Sequence, residues 1–196
     1  MGMASIETAK ETAAHIWNIR GSDVYASDVS AEYAWAREHA FVLVMDSLRR
    51  TMLVVLSRKG SRPIVSGTGV DGINALLHDE HISLPYGLSA VQLGQTVHSL
   101  LRGPGGFVGT SAFYKEQQNS LAMWISPSPK QGAEIFHRYC EDPQLRLQGQ
   151  GWHLNFYFFN VQGGVELWEL EGDETHIKQP KETQVVPNGA FLFPYG

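Results

Sequence analysis

Apolar positions follow two different rules in this chain. In Trp152–Phe159 (WHLNFYFF) they fall on every second residue, and successive side chains of a strand point to opposite faces. Trp152, Leu154, Phe156 and Phe158 therefore share one wholly apolar face. His153, Asn155, Tyr157 and Phe159 share the other, which is mixed. Gly149 and Gly151 precede the run and Gly163-Gly164 follow it, the punctuation of a strand, and Val165–Leu170 (VELWEL) supplies a hairpin partner. Thr175–Lys178, Gln184–Val186 and Ala190–Phe193 predict further short strands, giving a C-terminal meander over 152–193.

Phe41–Met45 and Met52–Leu56 obey the second rule, with five consecutive apolar residues each. Strands of that kind are covered on both faces. The polar interval Asp46–Thr51 makes them a central hairpin over 41–56, core rather than site. A short third strand is expected at Pro63–Ser66.

Helical spacing accounts for most of the rest. Ile6, Ala9, Ala13, Ile16 and Trp17 form one stripe over Ser5–Ile19, with Gly21 as the predicted stop. A second helix is expected from Ser27 or Asp28, with Val29, Tyr33, Ala36 and Ala40 on one face and Trp35 outside it, and a short third over Ile73–His78. Ser89-Ala90-Val91-Gln92 is a capping box opening a helix whose inward residues are Ala90, Leu93, Val97 and Leu100, ended by Gly103-Pro104. Leu121–Ser126 has the composition of a buried strand. Ser128-Pro129-Lys130-Gln131 opens a last helix to about Glu141, with Ala133, Phe136, Tyr139 and Cys140 inward and Asp142-Pro143 as its stop. The predicted class is α+β: one domain over 1–196, a mainly antiparallel sheet flanked by about five helices.

Composition narrows the function classes. With 43% hydrophobic and 18% charged residues in 196, the chain has globular values and length enough to bury a core without staples. A net charge of −5 and a pI near 5.9 weigh against a phosphate-neutralising surface, so nucleic acid is not an expected partner. The five-residue apolar runs are too short to span a bilayer, the first residues lack the basic and apolar regions of a signal peptide, and Cys140 is the single cysteine. No membrane association is expected, and the cytoplasm is the expected compartment.

Candidate chemistry is sparse. Gly67-Thr68-Gly69-Val70-Asp71-Gly72 has the form G-x-G-x-x-G between a strand and a helix, which makes Gly67, Gly69 and Gly72 candidate cofactor-binding positions; the short flanking elements and the missing acidic residue about twenty positions on argue against a dinucleotide. His78 and His81 bracket Asp79-Glu80 and are candidate metal ligands, though two ligands do not make a site. The glycine-dense Gly103–Ser111 lacks a Gly-Lys-Ser/Thr ending, and no G-x-S-x-G, H-E-x-x-H or C-x-x-C pattern occurs. Cys140, on an apolar helix face near a C-terminus, is expected to be inert packing. No cofactor is expected. The leading expectation is a non-catalytic module that binds a small molecule or a protein through His153, Asn155, Tyr157 and Phe159, with Gly105 and Gly106 from the neighbouring loop. One alternative is an enzyme or nucleotide-binding protein using the 67–72 turn as an anion site beside His78 and His81. Another is a homo-oligomer subunit with Trp35 or Ala190–Phe193 in the interface.

Overall fold

The computed structural model describes residues 3–60, 62–117 and 129–191. The predicted strand Leu121–Ser126, Ser128 of the last capping box and Leu192-Phe193 lie outside them. In chain order the elements are α1 (Met3–Trp17), β1 (Val24–Asp28), β2 (His39–Asp46), β3 (Thr51–Ser57), β4 (Ile64–Val65), α2 (Val70–Asp79), α3 (Ala90–Leu101), β5 (Phe107–Val108), α4 (Ser111–Gln117), α5 (Pro129–Tyr139), β6 (Gln144–Gln148), β7 (Gly151–Phe159), β8 (Val165–Gly172) and β9 (Lys181–Val186), with 3₁₀ turns at Gly21–Asp23 and Ser30–Tyr33. Among the described residues five helices and two antiparallel sheets make an α+β fold. Two compact units share the chain, one of residues 1–83 and 96–104, the other of 84–95 and 105–196. Among the described residues no helix is long and apolar enough to cross a membrane.

The first unit holds a four-stranded sheet in the order β1-β2-β3-β4. The predicted hairpin is its centre, with Val42 opposite Val54 and Phe41 opposite Val55. Both faces are covered over most of their length, while Met45 near the end of β2 is exposed. Val42, Val44 and Val54 pack with Ala9 and Ala13 of α1. On the other face the Phe41 ring stacks on Tyr33 at 4.0 Å, and Trp35 meets Phe41 edge-on at 5.8 Å.

Two expectations here are corrected. No helix spans 27–40: Val24–Asp28 pairs with β2 as an edge strand, Asp28 opposite Val42, because the valines of β2 offer a ladder that outcompetes the weak helical stripe. Helix α1 is ended by Asn18 rather than Gly21. Asn18 takes φ 54, its N–H donates to the His15 carbonyl and that of Ile19 to Ala14, a Schellman motif with asparagine in the left-handed position. Ile16, placed in the stripe by spacing, is exposed.

The second unit holds a five-stranded sheet in the order β5-β7-β8-β9, with β6 also paired to β7. Strand β6 pairs with the first half of β7, Gln144 opposite Asn155, and β5 with the last two residues, Phe107 opposite Phe159. The burial of β7 alternates as predicted: Trp152, Leu154, Phe156 and Phe158 are buried, whereas His153, Asn155 and Tyr157 are half-buried. On the apolar face, a β-carbon at Gly94 of α3 would come within 3.0 Å of the Phe156 ring, which accounts for a glycine inside a helix where alanine is otherwise favoured. The Ser89–Gln92 capping box of that helix is formed in both directions, at 3.0 and 3.2 Å.

The turn from β7 to β8 is held by Asn160. Its Oδ1 accepts the N–H groups of Gln162 and Gly164, each at 3.0 Å, and its amide donates to Glu166 at 2.6 Å. Gly163 has φ 77, and a β-carbon there would collide with the Phe191 carbonyl. Phe191 is fully buried in a turn, so the described part of the expected 190–193 strand is core without being a strand. The expected strand at 175–178 reduces to a single bridge between Gly172 and Ile177. Helix α4 and strand β6 carry no clear sequence signal.

Candidate functional site

The mixed face of β7 changes character along its length. At its C-terminal end Phe159 is fully buried. It stacks on Phe107 at 5.1 Å and on Phe136 of α5 at 4.8 Å, in a cluster with Cys140, Val165 and Phe191. One residue pair back, Tyr157 meets Tyr139 edge to face at 5.0 Å. Helix α5 ends there, and Glu141 and Asp142 lead off the sheet towards β6. Further back the strand loses this cover. His153 and Asn155 lie between Arg146 and Gln144 of β6 on one side and Glu171 and Glu169 of β8 on the other.

Where the cover stops, a cavity of about 140 Å³ opens, lined chiefly by Glu141, Asp142, Gln144, Asn155, Tyr157 and Leu167. Asp142 is partly committed, since its Oδ1 accepts the Ser111 N–H at 2.9 Å and ties down the start of α4. The Oδ1 of Asn155 is buried and no donor among the described residues reaches it. A buried acceptor in that state is destabilising by about 1–3 kcal/mol relative to a paired one. Burial raises the Tyr157 phenol above its ordinary value, and the charge of Glu141 and neighbouring Tyr139 push the same way against the guanidinium of Arg138. The phenol therefore stays protonated, able to donate and accept.

Of the residues predicted from the mixed face, Asn155 and Tyr157 come together at this cavity. His153 lies outside its wall, with Nε2 3.9 Å from Glu169 Oε1, beyond hydrogen-bond distance. Phe159 is core. Gly105 and Gly106 have φ 117 and 96 and lie against the end of β7: a β-carbon at Gly105 would press on Val161, and one at Gly106 would strike the Phe159 carbonyl and the Phe158 ring. They let the chain pass close beside β7 rather than line a pocket. Glu141, Gln144 and Leu167 were missed, because a loop and a polar strand such as Gln144–Gln148 carry no hydrophobic pattern that places them.

The glycine turn and the histidine pair lie apart. Gly67 and Gly69 take φ 86 and 85 to turn the chain from β4 into α2. β4 is antiparallel to β3, so the segment is not the parallel unit on which dinucleotide sites are built. Two of the turn's N–H groups are already used, Gly67 donating to the Leu100 carbonyl at 2.7 Å and Thr68 to Val65 at 3.1 Å. Gly72 faces the Thr68 side chain. His78 lies at the far end of α2, ten residues long and so about 15 Å in length. His81 is the left-handed residue that closes α2, with φ 56 and the Ile82 N–H donating to Leu77, the motif that ends α1.

Both histidines line a second cavity, of about 220 Å³, together with Glu38, His39, Ser57, Lys59 and Asp79. Among the described residues no group of three or more His, Cys, Asp and Glu side chains is placed to hold a metal ion. Burial raises the Cys140 thiol to about 12, so the thiolate is absent at neutral pH.

Comparison with protein-family models, with curated proteins and with solved structures returns no match. The geometry of the two cavities carries the functional argument by itself.

Proposed function

We propose that the protein is a binding module whose second sheet takes up a small polar molecule in the cavity at Asn155 and Tyr157. The observation that carries this is that Asn155, whose Oδ1 is buried without a donor among the described residues, lines a cavity. It calls for a ligand bearing an N–H or O–H donor, and the carboxylates of Glu141 and Asp142 at the lip favour a positively charged one. Tyr157 and Leu167 supply an apolar wall against which the body of the ligand packs. At about 140 Å³ the space is below the range of drug-sized sites, about 300–1,000 Å³, so the ligand is of fragment size, such as a small amine or amide. The cavity adjoins a stacked aromatic cluster, which keeps its wall rigid.

The test is a thermal-shift and NMR screen with methylammonium, guanidinium, acetamide and small alcohols. A binder that raises Tm and moves the Asn155 side-chain amide resonances supports the reading. Asn155→Leu removes the acceptor at similar volume and is expected to weaken that binder at least about tenfold, the equivalent of one hydrogen bond of about 1.4 kcal/mol. Absence of any shift at millimolar ligand, with the Asn155 amide resonances observed, would sink it.

A further inference from the structure

On the proposal that the cavity at Asn155 and Tyr157 takes a small cation, we infer that this cation is the head group of a lysine or arginine in an extended segment of a partner protein, which adds as an antiparallel strand to the outer edge of β6. The size of the cavity points the same way. A space of about 140 Å³ holds the end of a side chain rather than a whole metabolite. Strand β6 is bonded on one side only: it pairs with β7, and among the described residues no strand pairs with its other edge. Such an edge offers a row of backbone N–H and C=O groups, the template for strand addition.

The backbone register decides which groups of β6 are free. The Tyr157 carbonyl accepts the Gly109 N–H at 2.8 Å, so Tyr157 turns its backbone to the edge of β7 that β5 and β6 share. Backbone direction alternates along a strand, and Asn155, His153 and Gly151 therefore turn the same way. They are opposite Gln144, Arg146 and Gln148, whose N–H and C=O groups are directed to β7. Those of Leu145 and Leu147 point outward. An added strand bonds to both leucines and, like every ladder of this sheet, runs antiparallel.

The side chains define what the segment carries. Leu145 and Leu147 are opposite Leu154 and Trp152 on the apolar face, and Leu147 is 61% exposed. Apolar residues across from the two leucines extend that layer by one strand. Gln144 and Arg146 share the other face with Asn155 and His153. Glu141, Asp142 and Gln144 line the cavity, so a residue opposite Gln144 stands beside two carboxylates, and a basic side chain is its match. Arg146 donates one N–H to Gln144 Oε1 at 3.2 Å and keeps its other donors, so the residue opposite it is acidic. In the antiparallel direction the segment therefore runs apolar, acidic, apolar, basic. A second copy of this chain fits poorly, because the register that pairs all five residues of β6 with their own copies puts Arg146 against Arg146.

The probe is the peptide Thr-Val-Glu-Val-Lys-Val-Thr with an N-terminal fluorescein and a C-terminal amide, titrated against the full chain by anisotropy, with amide exchange followed by NMR. Saturable binding is expected, with new protection of the Leu145 and Leu147 amides. Exchanging the peptide's glutamate and lysine should weaken binding at least about tenfold. So should N-methylation of the valine between them, which removes a backbone donor and leaves every side chain in place. Arg146→Glu, at an exposed site, should weaken the peptide and recover it when the peptide's glutamate is replaced by lysine. Asn155→Leu should weaken the peptide at least about tenfold, as it does the small cation. Binding of methylammonium without binding of the peptide leaves the cavity a small-cation site and overturns the strand addition. Peptide binding indifferent to N-methylation or to Asn155→Leu overturns it as well, and failure of both ligands overturns both proposals.

Discussion

The two sheets solve the same burial problem in opposite ways. Strands β2 and β3 are apolar on both faces and are covered on both over most of their length, by Ala9 and Ala13 on one side and by Tyr33 and Trp35 on the other. No face is left for polar groups, so the ionisable residues of β2 stand at its ends. His39, its first residue, bonds to Glu80, and Asp46, its last, takes the Arg50 guanidinium at 2.6 Å. In β7 the polar residues alternate with apolar ones, and a half-open face remains along the strand. Continuous patterning thus puts chemistry at strand termini, where charge can be paired or solvated, and alternation puts it on a surface.

The contrast within the mixed face of β7 gives the largest expected effect. Phe159→Ala should lower unfolding stability by about 3–5 kcal/mol, the usual result of emptying a fully packed phenylalanine site, whereas Asn155→Ala, four residues away, should cost far less, because it removes a buried acceptor that has no donor among the described residues. Urea denaturation measures both. Comparable losses would show that the face is one uniform core layer. Next in size is Asn160→Ala, which strips partners from the N–H groups of Gln162 and Gly164 and from Glu166; about 1–3 kcal/mol is expected, with amide-exchange protection lost first at the β7–β8 turn.

Acid titration compares the strand ends of the first sheet with the loops of the second. Burial works to raise the Asp46 carboxyl, but hydrogen bonds from the Arg50 side chain and from the backbone of Arg50 and Leu48 outweigh it, so its pKa is lowered. Asp173 is lowered by the backbone and hydroxyl of Thr175. A lowered carboxylate contributes stability that is complete above the unfolded value, about 3.9, and is lost as pH falls through the native value. Stability should therefore fall below about pH 4, and Asp46→Asn should flatten that decline. An unchanged acid limb in this variant would remove Asp46 from the account. The smallest effect is a null one: with its thiol near 12, Cys140 should not react with a disulfide reagent at pH 8 until the chain is unfolded. Rapid labelling of the native protein would contradict its burial.

Much of the fold is legible in the residues. The 41–56 hairpin, the Ser89 capping box, the stop at Asp142-Pro143 and the two faces of β7 each rest on a short-range rule of period, cap or breaker, and such rules act within a few residues. The segment 24–33 reads wrongly because its weak helical spacing cannot reveal that β2 offers it a partner. A part of the first cavity was legible, since alternation alone placed Asn155 and Tyr157 on one face. Where α5 would end above that face, and that Glu141, Gln144 and Leu167 would close a cavity there, follows from packing between distant segments. The same holds for His39 and Glu80. Nothing in their spacing joins residues 39 and 80, and it took the start of one strand and the end of one helix to bring them together. The sequence by itself determined most of the buried positions and how β7 alternates, because burial largely follows local period, with Ile16 and Phe159 as the exceptions. Only the tertiary structure decided which polar groups meet, because that depends on register and on where each covering helix stops.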